Sequence, residues 1–442
     1  MAGEFAETTL GRLMSFANGR SSPERADGLP YPVYGSNGVI GWAAEANADA
    51  GSIVIGRVGS YCGSLYFSKQ RCWVTDNAIR ATALDGNDSR FLFYLLSTLG
   101  LNNWRAGSGQ PLLNQDILSR IPAAVPEPIE QRAISHILGT LDDKIEVNRR
   151  MSQTLEAIAR ALFESWFVRF DPVRRNMARK GRGQPSPAAS RHPLPLGEGR
   201  GEGVVESHVR HPLPLGEGRG EGVVESHAFD HLFPDRLVDS ELGEIPEGWE
   251  VGCVDDEFDL TMGQSPPGHT YNEVGDGLPF YQGRTDFGFR FPTRRVYCTT
   301  PTRLAKKGDT LISVRAPVGD VNMAAEDCAI GRGVAAARHK TGSRSYTYQF
   351  MLAQADVFAR FEAEGTVFGS ISKKDFHAIA CVVPPRGLVE VFERRVAPLD
   401  DRIEVTDQDS RTLAALRDAL LPKLISGELR VKNIEEMIGR IV

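Results

Sequence analysis

Apolar residues recur at alternating steps of four and three near the middle of the chain, a spacing that predicts a helix with one apolar seam. The seam positions are Ile134, Leu138, Leu141, Ile145, Asn148, Ser152, Leu155, Ala159, Leu162 and Trp166. Two of them are polar, and polar residues on such a seam fix the register of packed helices at some cost in stability. The pattern predicts a helix over residues 129–170, roughly 60 Å long at about 1.5 Å per residue.

The same pattern returns near the carboxyl end. Of the fifteen positions from Leu141 to Leu155, nine are identical to those from Leu399 to Leu413. The second seam consists of Leu399, Ile403, Thr406, Ser410, Leu413, Leu420 and Leu424, with Arg417 as its one charged member. The two copies are either unrelated helices of a bundle or two helices that pack on each other.

Each predicted helix follows a stretch of short apolar runs bounded by glycine, which is typical of strands and turns. In residues 1–128 these include an Asn37-Gly38 turn signal and a predicted helix from Ser89 to Leu99. Residues 239–386 repeat several features, since Gly308–Arg315 echoes Gly51–Arg57. We therefore predict an α+β fold with two pseudo-repeated globular domains, 1–128 and 239–386, each followed by one long helix, 129–170 and 387–428, and then a tail at 429–442.

Between the halves the composition changes to Arg, Gly, Pro and Ser. Arg191–His208 recurs without change as Arg210–His227, a tandem repeat with a period of nineteen residues. Such a segment buries too little apolar surface to offset its ordering entropy. We predict a disordered linker over residues 171–238.

Composition excludes several classes of protein. Hydrophobic residues make up 41% of the 442 residues, and no apolar run approaches the roughly 18 residues that a membrane span needs. The amino terminus lacks signal-peptide features, so we expect a cytoplasmic protein without a membrane partner. The six cysteines include no C-x-x-C pair, so we expect reduced thiols and neither a metal nor a cofactor.

The net charge is −6, but the charge is unevenly distributed. Between Gly277 and Lys340 there are eleven Lys and Arg against five Asp and Glu, and between Gly51 and Arg120 the counts are seven and four. A solvated basic face is one explanation for each region. Two such regions in corresponding halves favour the other explanation, a polyanionic partner.

Motifs for catalysis are missing from the sequence. There is no G-x-x-x-x-G-K-[ST] loop, which argues against ATP hydrolysis by this chain. The nearest match to an adenine methylase motif, Ser265-Pro266-Pro267-Gly268, lacks both the acidic or amide group and the aromatic ring that would hold a flipped base. We expect a non-catalytic protein.

Four stretches, in this order along the chain, resemble the specificity subunits of type I restriction-modification systems. They are Glu130–Ile134 with Leu141–Ile145, Ala161–Phe167 with Phe170–Val173, Glu241–Trp249, and Ala419–Leu429. The resemblance implies two DNA-reading domains separated by the two long helices, which form an antiparallel coiled coil. The same resemblance implies a partnership with double-stranded DNA, modification (methyltransferase) subunits and restriction subunits. It also implies an asymmetric bipartite target, with the helices setting a spacing on the order of one DNA turn, about 34 Å.

Within each domain, Lys and Arg would neutralise phosphates while Arg, Asn and Gln would read base edges. The predicted DNA contacts are Tyr34, Asn37, Arg57, Lys69 and Arg71 in the first domain and Gln282, Arg284, Arg315 and Arg332 in the second. Phe163, Trp166 and Phe167 are predicted either to bind partner subunits or to lie in the core. The alternatives to this function are a stand-alone DNA-binding regulator and a self-contained methylase or nuclease with an unrecognised site.

Overall fold

A computed structural model describes residues 5–84, 86–106, 112–181, 229–363 and 369–431. The tandem repeat at 191–227 lies outside these ranges. The described residues up to Arg149 and from Gln408 onwards form a first compact unit, and those from Arg150 to Asp407 form a second. None of the described helices combines the length and the apolar character needed to cross a membrane.

The first unit is built on two small sheets covered by helices. Its elements are β1 (Ala6–Thr9), α1 (Leu10–Leu13), β2 (Met14–Asn18), β3 (Tyr31–Gly35), β4 (Gly38–Ala43), β5 (Ser52–Gly56), β6 (Leu65–Ser68), β7 (Trp73–Val74), β8 (Ala78–Ala83), α2 (Ser89–Thr98), α3 (Gln115–Arg120) and β9 (Pro122–Val125). The strand orders are β2-β8-β5-β6 and β4-β3-β7, and β1 pairs with β9. The predicted helix at Ser89 is confirmed as α2, where the Asp88 carboxylate accepts a capping bond from the Phe91 amide at 2.8 Å.

The second unit contains a larger version of the same arrangement. Two long helices belong partly to each unit, α4 (Pro128–Phe163) and α10 (Arg386–Ile425). The other elements of the second unit are α5 (Asp171–Gly181), β10 (Leu237–Ser240), β11 (Gly243–Pro246), β12 (Glu250–Cys253), α6 (Val254–Glu257), β13 (Phe258–Met262), β14 (Tyr271–Asn272), β15 (Leu278–Tyr281), β16 (Tyr297–Cys298), β17 (Leu304–Ala305), β18 (Thr310–Ser313), β19 (Val321–Met323), β20 (Cys328–Ile330), β21 (Val334–His339), α7 (Arg344–Ala353), α8 (Ala355–Ala363), α9 (Lys373–His377) and β22 (Ala380–Val383).

The two units repeat each other strand by strand, as the fold prediction requires. The order β13-β21-β18-β19 in the second unit matches β2-β8-β5-β6 in the first, and parallel pairing of β15 with β20 matches that of β3 with β7. Ile53 pairs with Ala81 in the first unit where Thr310 pairs with Ala337 in the second. The central strands β5 and β18 are buried along their whole length, which explains their continuous apolar character.

In the first unit, the amino-terminal part of α4 packs against the carboxyl-terminal part of α10. Ile134 and Leu138 share one apolar cluster with Leu424 and Ile425. Ion pairs join Glu130 to Arg430 and Asp142 to Arg417, each at 2.8 Å. Residue numbers rise along one helix as they fall along the other, so this helix pair is antiparallel. The pair with Asp142 also accounts for Arg417, the charged residue on the seam.

In the second unit, the remaining parts of α4 and α10 pack in the same antiparallel sense. Leu155 and Ile403 share a cluster, and farther along α4 the rings of Phe163 and Phe392 lie 5.8 Å apart. Every residue predicted on either seam is buried or half-buried, including Asn148. The prediction that the two helices pack on each other is therefore confirmed.

The duplicated Asp-Asp pair joins each globular domain to the helices. In the first unit the Asp143 carboxylate accepts two bonds from Arg90, both at 2.9 Å, and Asp142 accepts a bond from the Tyr94 hydroxyl. Arg90 and Tyr94 stand four residues apart in the first turns of α2 and so lie on one face of that helix. The motif therefore fixes α2 against α4.

In the second unit, the second aspartate of the repeated motif makes the matching contact. Asp401 of α10 pairs with Arg344 at the start of α7, and Tyr348 follows four residues later. Arg344 and Tyr348 thus take the places of Arg90 and Tyr94. This shared contact gives a structural reason for the repeated Leu-Asp-Asp sequence.

Asp143→Asn is expected to lower the stability of the first unit at neutral pH and to lose this effect in acid. The hydrogen bond from Arg90 holds the pKa of Asp143 well below its usual range. The stabilisation is present above the unfolded-state pKa, about 3.9, and declines as the pH falls from there towards the lowered folded-state pKa. Urea unfolding at pH 7 and pH 3 should therefore show a smaller difference between variant and wild type at pH 3.

The matched control for this experiment is Asp116→Asn, which breaks an exposed pair with Arg120 in the same unit. Exposed pairs of this kind contribute little, so its effect should be small at both pH values. A difference between Asp143→Asn and wild type that stays constant with pH would contradict the expectation.

The segment predicted as a linker, residues 171–238, is structured at both of its ends. Helix α5 begins at Asp171 and packs on residues 229–235, where the buried Asp230 forms ion pairs with Arg175 at 2.7 Å and with Arg179 at 3.1 Å. Asn176, fully buried, donates to the Phe233 carbonyl at 3.0 Å. The predicted linker was therefore too long, because its charged first turns have partners that lie far along the chain.

Candidate nucleic-acid interface

Three loops of the second unit surround a cleft of about 690 Å³. One loop follows β15, one follows β18 and one connects β20 to β21, and Ser265 from the loop after β13 also lines the cleft. The side chains and backbone that line the cleft belong to Ser265, Gln282, Gly283, Arg284, Thr285, Asp286, Arg295, Arg315, Ala316, Pro317, Arg332 and Gly333. The structure thus brings together all four residues predicted to bind DNA in the second domain.

Backbone contacts hold the three loops close to one another. The Val314 amide donates to the Gly333 carbonyl at 2.9 Å, and the Gly331 amide donates to the Tyr281 carbonyl at 2.8 Å. A Cβ atom at Gly333 would lie 2.1 Å from the Gln282 carbonyl oxygen, a distance that no side chain can occupy. Glycine is therefore required at position 333 for the loop carrying Arg332 to pass against Gln282.

The cleft carries an excess of positive charge. Four guanidinium groups, those of Arg284, Arg295, Arg315 and Arg332, face one carboxylate, that of Asp286. Asp286 is buried and forms an ion pair with Arg295 at 2.5 Å. Its second carboxylate oxygen accepts a hydrogen bond from the backbone amide of Gln282 at 2.7 Å. Its charge is therefore neutralised locally and organises the loop instead of repelling an anion.

The other three arginines of the cleft differ in whether their side chains already have a charged partner. Arg284 lies 2.9 Å from Asp320, so its charge is partly satisfied. Arg315 and Arg332 are exposed, and neither side chain has an ion pair or hydrogen bond with any described residue. Both also line an adjoining depression of about 510 Å³. These two guanidinium groups are available to bind phosphate or the edge of a base.

The predicted residues of the first unit have more varied surroundings. Lys69 is exposed but pairs with Asp143, and Arg71 lies 3.8 Å from Asp49 and over the ring of Tyr31. Arg57 is half-buried after β5. Asn37 is exposed at the turn between β3 and β4, whereas Tyr34 is buried in an apolar cluster, where burial raises its pKa. Of these five residues, Tyr34 is the one that lies in the core.

The repeated fold shows which residues of the first unit correspond to the cleft. Val58 forms a bridge with Leu112 where Arg315 forms one with Ser370, so Val58 corresponds to Arg315. By the same matching of backbone bonds, Gly35 stands at the position of Gln282 and Asp76 at that of Arg332. The sequence echo had instead suggested that Arg57 matches Arg315. Two domains of one fold therefore present different chemistry at the same place.

Sequence reasoning missed Arg295 and Asp286, the pair that shapes the cleft. The adjacent Arg294 and Arg295 were a possible signal, but the two point to different partners, since Arg294 pairs with Glu326. No short motif reveals which of two neighbouring arginines faces a cleft.

The residues predicted either to bind partners or to form the core lie in the core of the second unit. Phe163, Trp166 and Phe167 are 3%, 4% and 8% exposed. Their rings contact Phe392, and that of Phe167 also contacts Trp249. In these positions they stabilise the unit and present little surface to another protein.

Known proteins resemble this chain in sequence. The family model of the type I restriction modification DNA specificity domain matches residues 3–157. A Methanocaldococcus jannaschii relative named as the type I restriction enzyme MjaX specificity subunit is 37% identical over 197 residues, 44% of this chain and 46% of that relative. The type I restriction enzyme HindI specificity subunit of Haemophilus influenzae is 24% identical over 343 residues, covering 72% of this chain and 71% of the relative. The chain is therefore similar in sequence to type I restriction enzyme specificity subunits.

The fold is also similar to that of a solved specificity subunit. The crystal structure of a type I restriction-modification system S subunit from M. genitalium matches with a TM-score of 0.58 and 15% identity, over 96% of each chain. The match to the MjaX subunit spans about half the length of that relative, 46%. The family resemblance found in the sequence is confirmed.

Proposed function

We propose that this chain is the DNA-reading subunit of a type I restriction-modification complex. In this function it binds an asymmetric bipartite target and directs modification and restriction subunits to it, without catalysing a reaction itself. The observation that carries the proposal is the cleft of the second unit, where loops of a duplicated fold assemble four arginines around one neutralised carboxylate. Arg284, Arg315, Arg332 and Gln282 are proposed to contact DNA there.

The asymmetry of the target follows from the difference between the domains. Gly35, Val58 and Asp76 of the first domain stand where the second has Gln282, Arg315 and Arg332. An aspartate cannot make the contacts of an arginine, since it accepts hydrogen bonds where the guanidinium donates them. The first domain is proposed to use Asn37, Arg57, Lys69 and Arg71 instead, and so to read a different half-site.

Co-expression with a modification subunit, followed by mapping of methylated adenines across the host genome, tests this function. We expect one asymmetric motif with two specified halves and an unspecified spacer of fixed length. The chain expressed alone should yield no methylation, which separates a reader from a self-contained methylase. A short palindromic motif, or no methylation in the presence of the modification subunit, would overturn the proposal.

A further inference from the structure

The loop that lines the cleft also reaches into the helix pair. It joins β15 to β16, and it contributes Arg284, Asp286 and Arg295 to the cleft. Midway between them lies Arg290, which is 1% exposed although it is an arginine in a surface loop. One side of this loop therefore lines the cleft, and the other side is buried in the interior of the unit.

The guanidinium of Arg290 is enclosed by charged and aromatic groups from three helices. It pairs with Glu156 of α4 and with Asp400 of α10, and it lies 3.5 Å from the centre of the Tyr348 ring of α7. Glu156 is itself oriented, because its other oxygen accepts a bond from the Gln349 amide group at 2.9 Å. The arginine thus connects the loop to both long helices at once.

Further contacts fix the loop on either side of Arg290. The Arg290 carbonyl accepts a bond from the Met323 amide at 2.9 Å, and the Gly288 carbonyl accepts one from the buried Asn322 side chain at 2.9 Å. Phe291 is buried in a cluster with Leu155 and Ile403 of the helix pair. Hydrogen bonds and apolar packing therefore hold the inner face of the loop on both sides of Arg290.

Stability alone does not account for this arrangement. Taking a guanidinium and two carboxylates out of water is costly, and apolar residues of similar volume often replace such a network without loss of stability. Charged hydrogen bonds differ from apolar packing in being directional, so they fix position more narrowly. A role in placing the loop explains the buried charge better than a role in holding the unit together.

We propose that Arg290 is a positioning residue for DNA reading, which sets the cleft loop relative to α4 and α10 through Glu156 and Asp400. The inference rests on the proposed function of the cleft. It implies that side chains of the helix pair that do not line the cleft control how the second half-site is read. Loss of Arg290 should release the loop and so weaken selection of bases at that half-site, while the first half-site is read as before.

Mapping of methylated adenines with the chain and its modification subunit tests the proposal, using Arg290→Met, Arg290→Lys and Glu156→Gln. We expect discrimination at one half-site to fall roughly tenfold in Arg290→Met, comparable to the loss of one bidentate arginine contact. Arg290→Lys keeps the charge but not the fork geometry, and should recover only part of the loss. Glu156→Gln leaves Arg290 paired with Asp400 and changes the side-chain volume very little. It should relax the same half-site more weakly, and it tests the proposal even if Arg290→Met fails to fold.

Two further variants make the outcomes distinguishable. Met351→Ala removes a fully buried side chain of the same unit, in a different apolar cluster from Phe291, so it should reduce methylation equally at both halves of the target. If Arg290→Met and Glu156→Gln behave like Met351→Ala, Arg290 is structural and the inference is overturned.

Arg315→Ala should relax the same half-site through the cleft itself. If Arg315→Ala leaves the methylated motif unchanged, the proposed function fails. If Arg315→Ala relaxes the motif but Arg290→Met and Glu156→Gln do not, only the inference about Arg290 fails.

Discussion

Trp166→Ala is expected to destabilise the second unit by about 3–5 kcal/mol, the usual range for removing a large aromatic side chain from a core. The Trp166 ring is 4% exposed. It meets Phe233 edge-on at 5.3 Å and also contacts Phe229 and Phe392 at 5.7 and 6.0 Å. Its loss would leave a cavity between α4, α10 and residues 229–233, where the surrounding elements cannot easily collapse. Urea unfolding followed by circular dichroism would measure the change.

The control for Trp166→Ala lies in the same helical segment. Val168 is 51% exposed two residues farther along, and Val168→Ala should change the free energy of unfolding by no more than about 0.5 kcal/mol. The pair also separates the two roles considered for the aromatic residues. A Trp166→Ala protein with unchanged stability that no longer binds a modification subunit would contradict the core assignment and favour partner binding.

The sequence could not settle this question because the partners of Trp166 are distant along the chain. Heptad spacing placed Trp166 on the seam, and it predicted that the ring would be at least partly buried. Phe229 and Phe233, however, follow the tandem repeat, in a segment whose composition gave no sign of structure. Local periodicity reveals which face of a helix is apolar but not what covers it.

The helix pair itself was predictable to a large extent. A seam with a regular period and a copy with nine identities in fifteen positions are local signals. They placed both helix starts within one residue of Pro128 and Arg386, whereas the predicted end of the first helix, residue 170, lies seven residues beyond Phe163. The reason for the repeated Asp-Asp pair was less accessible. It depends on Arg90 and Arg344, which belong to the globular domains and pair with the helices only in the folded chain.

The candidate site was predicted in part. Glycine neighbours and turns pointed to Arg284, Arg315 and Arg332, which line one cleft made by loops at strand ends, and their contact with DNA stays a prediction. Arg290 belongs to the same basic stretch but is neutralised by carboxylates 134 and 110 residues away in sequence. Charge counting treats Arg290 and Arg315 alike. Arg290 is buried and paired whereas Arg315 is exposed, and this difference depends on tertiary contacts that no local sequence pattern contains.

Exchange of Arg315 and Arg332 for alanine together is expected to reduce specific DNA binding by at least about a hundredfold. Each is exposed without a side-chain partner among the described residues, so each can approach DNA without first breaking an ion pair. A bidentate arginine contact with guanine contributes about 1–3 kcal/mol of discrimination, and two such contacts account for the expected factor. Fluorescence anisotropy of the chain with its modification subunit, on a duplex carrying the mapped motif, would measure the affinity.

The salt dependence of binding distinguishes the two ways in which these arginines can act. If they contact phosphates, the double variant should lose affinity equally for all sequences, and the slope of log affinity against log salt should fall by about 0.9 for each contact. If they read bases, the slope should change little while discrimination at one half-site is lost. Arg303→Ala is the matched control, because Arg303 is an exposed arginine of the same unit that does not line the cleft. Its effect should be small in both measurements, and an equal loss from Arg303→Ala would show that overall charge, not the cleft, determines binding.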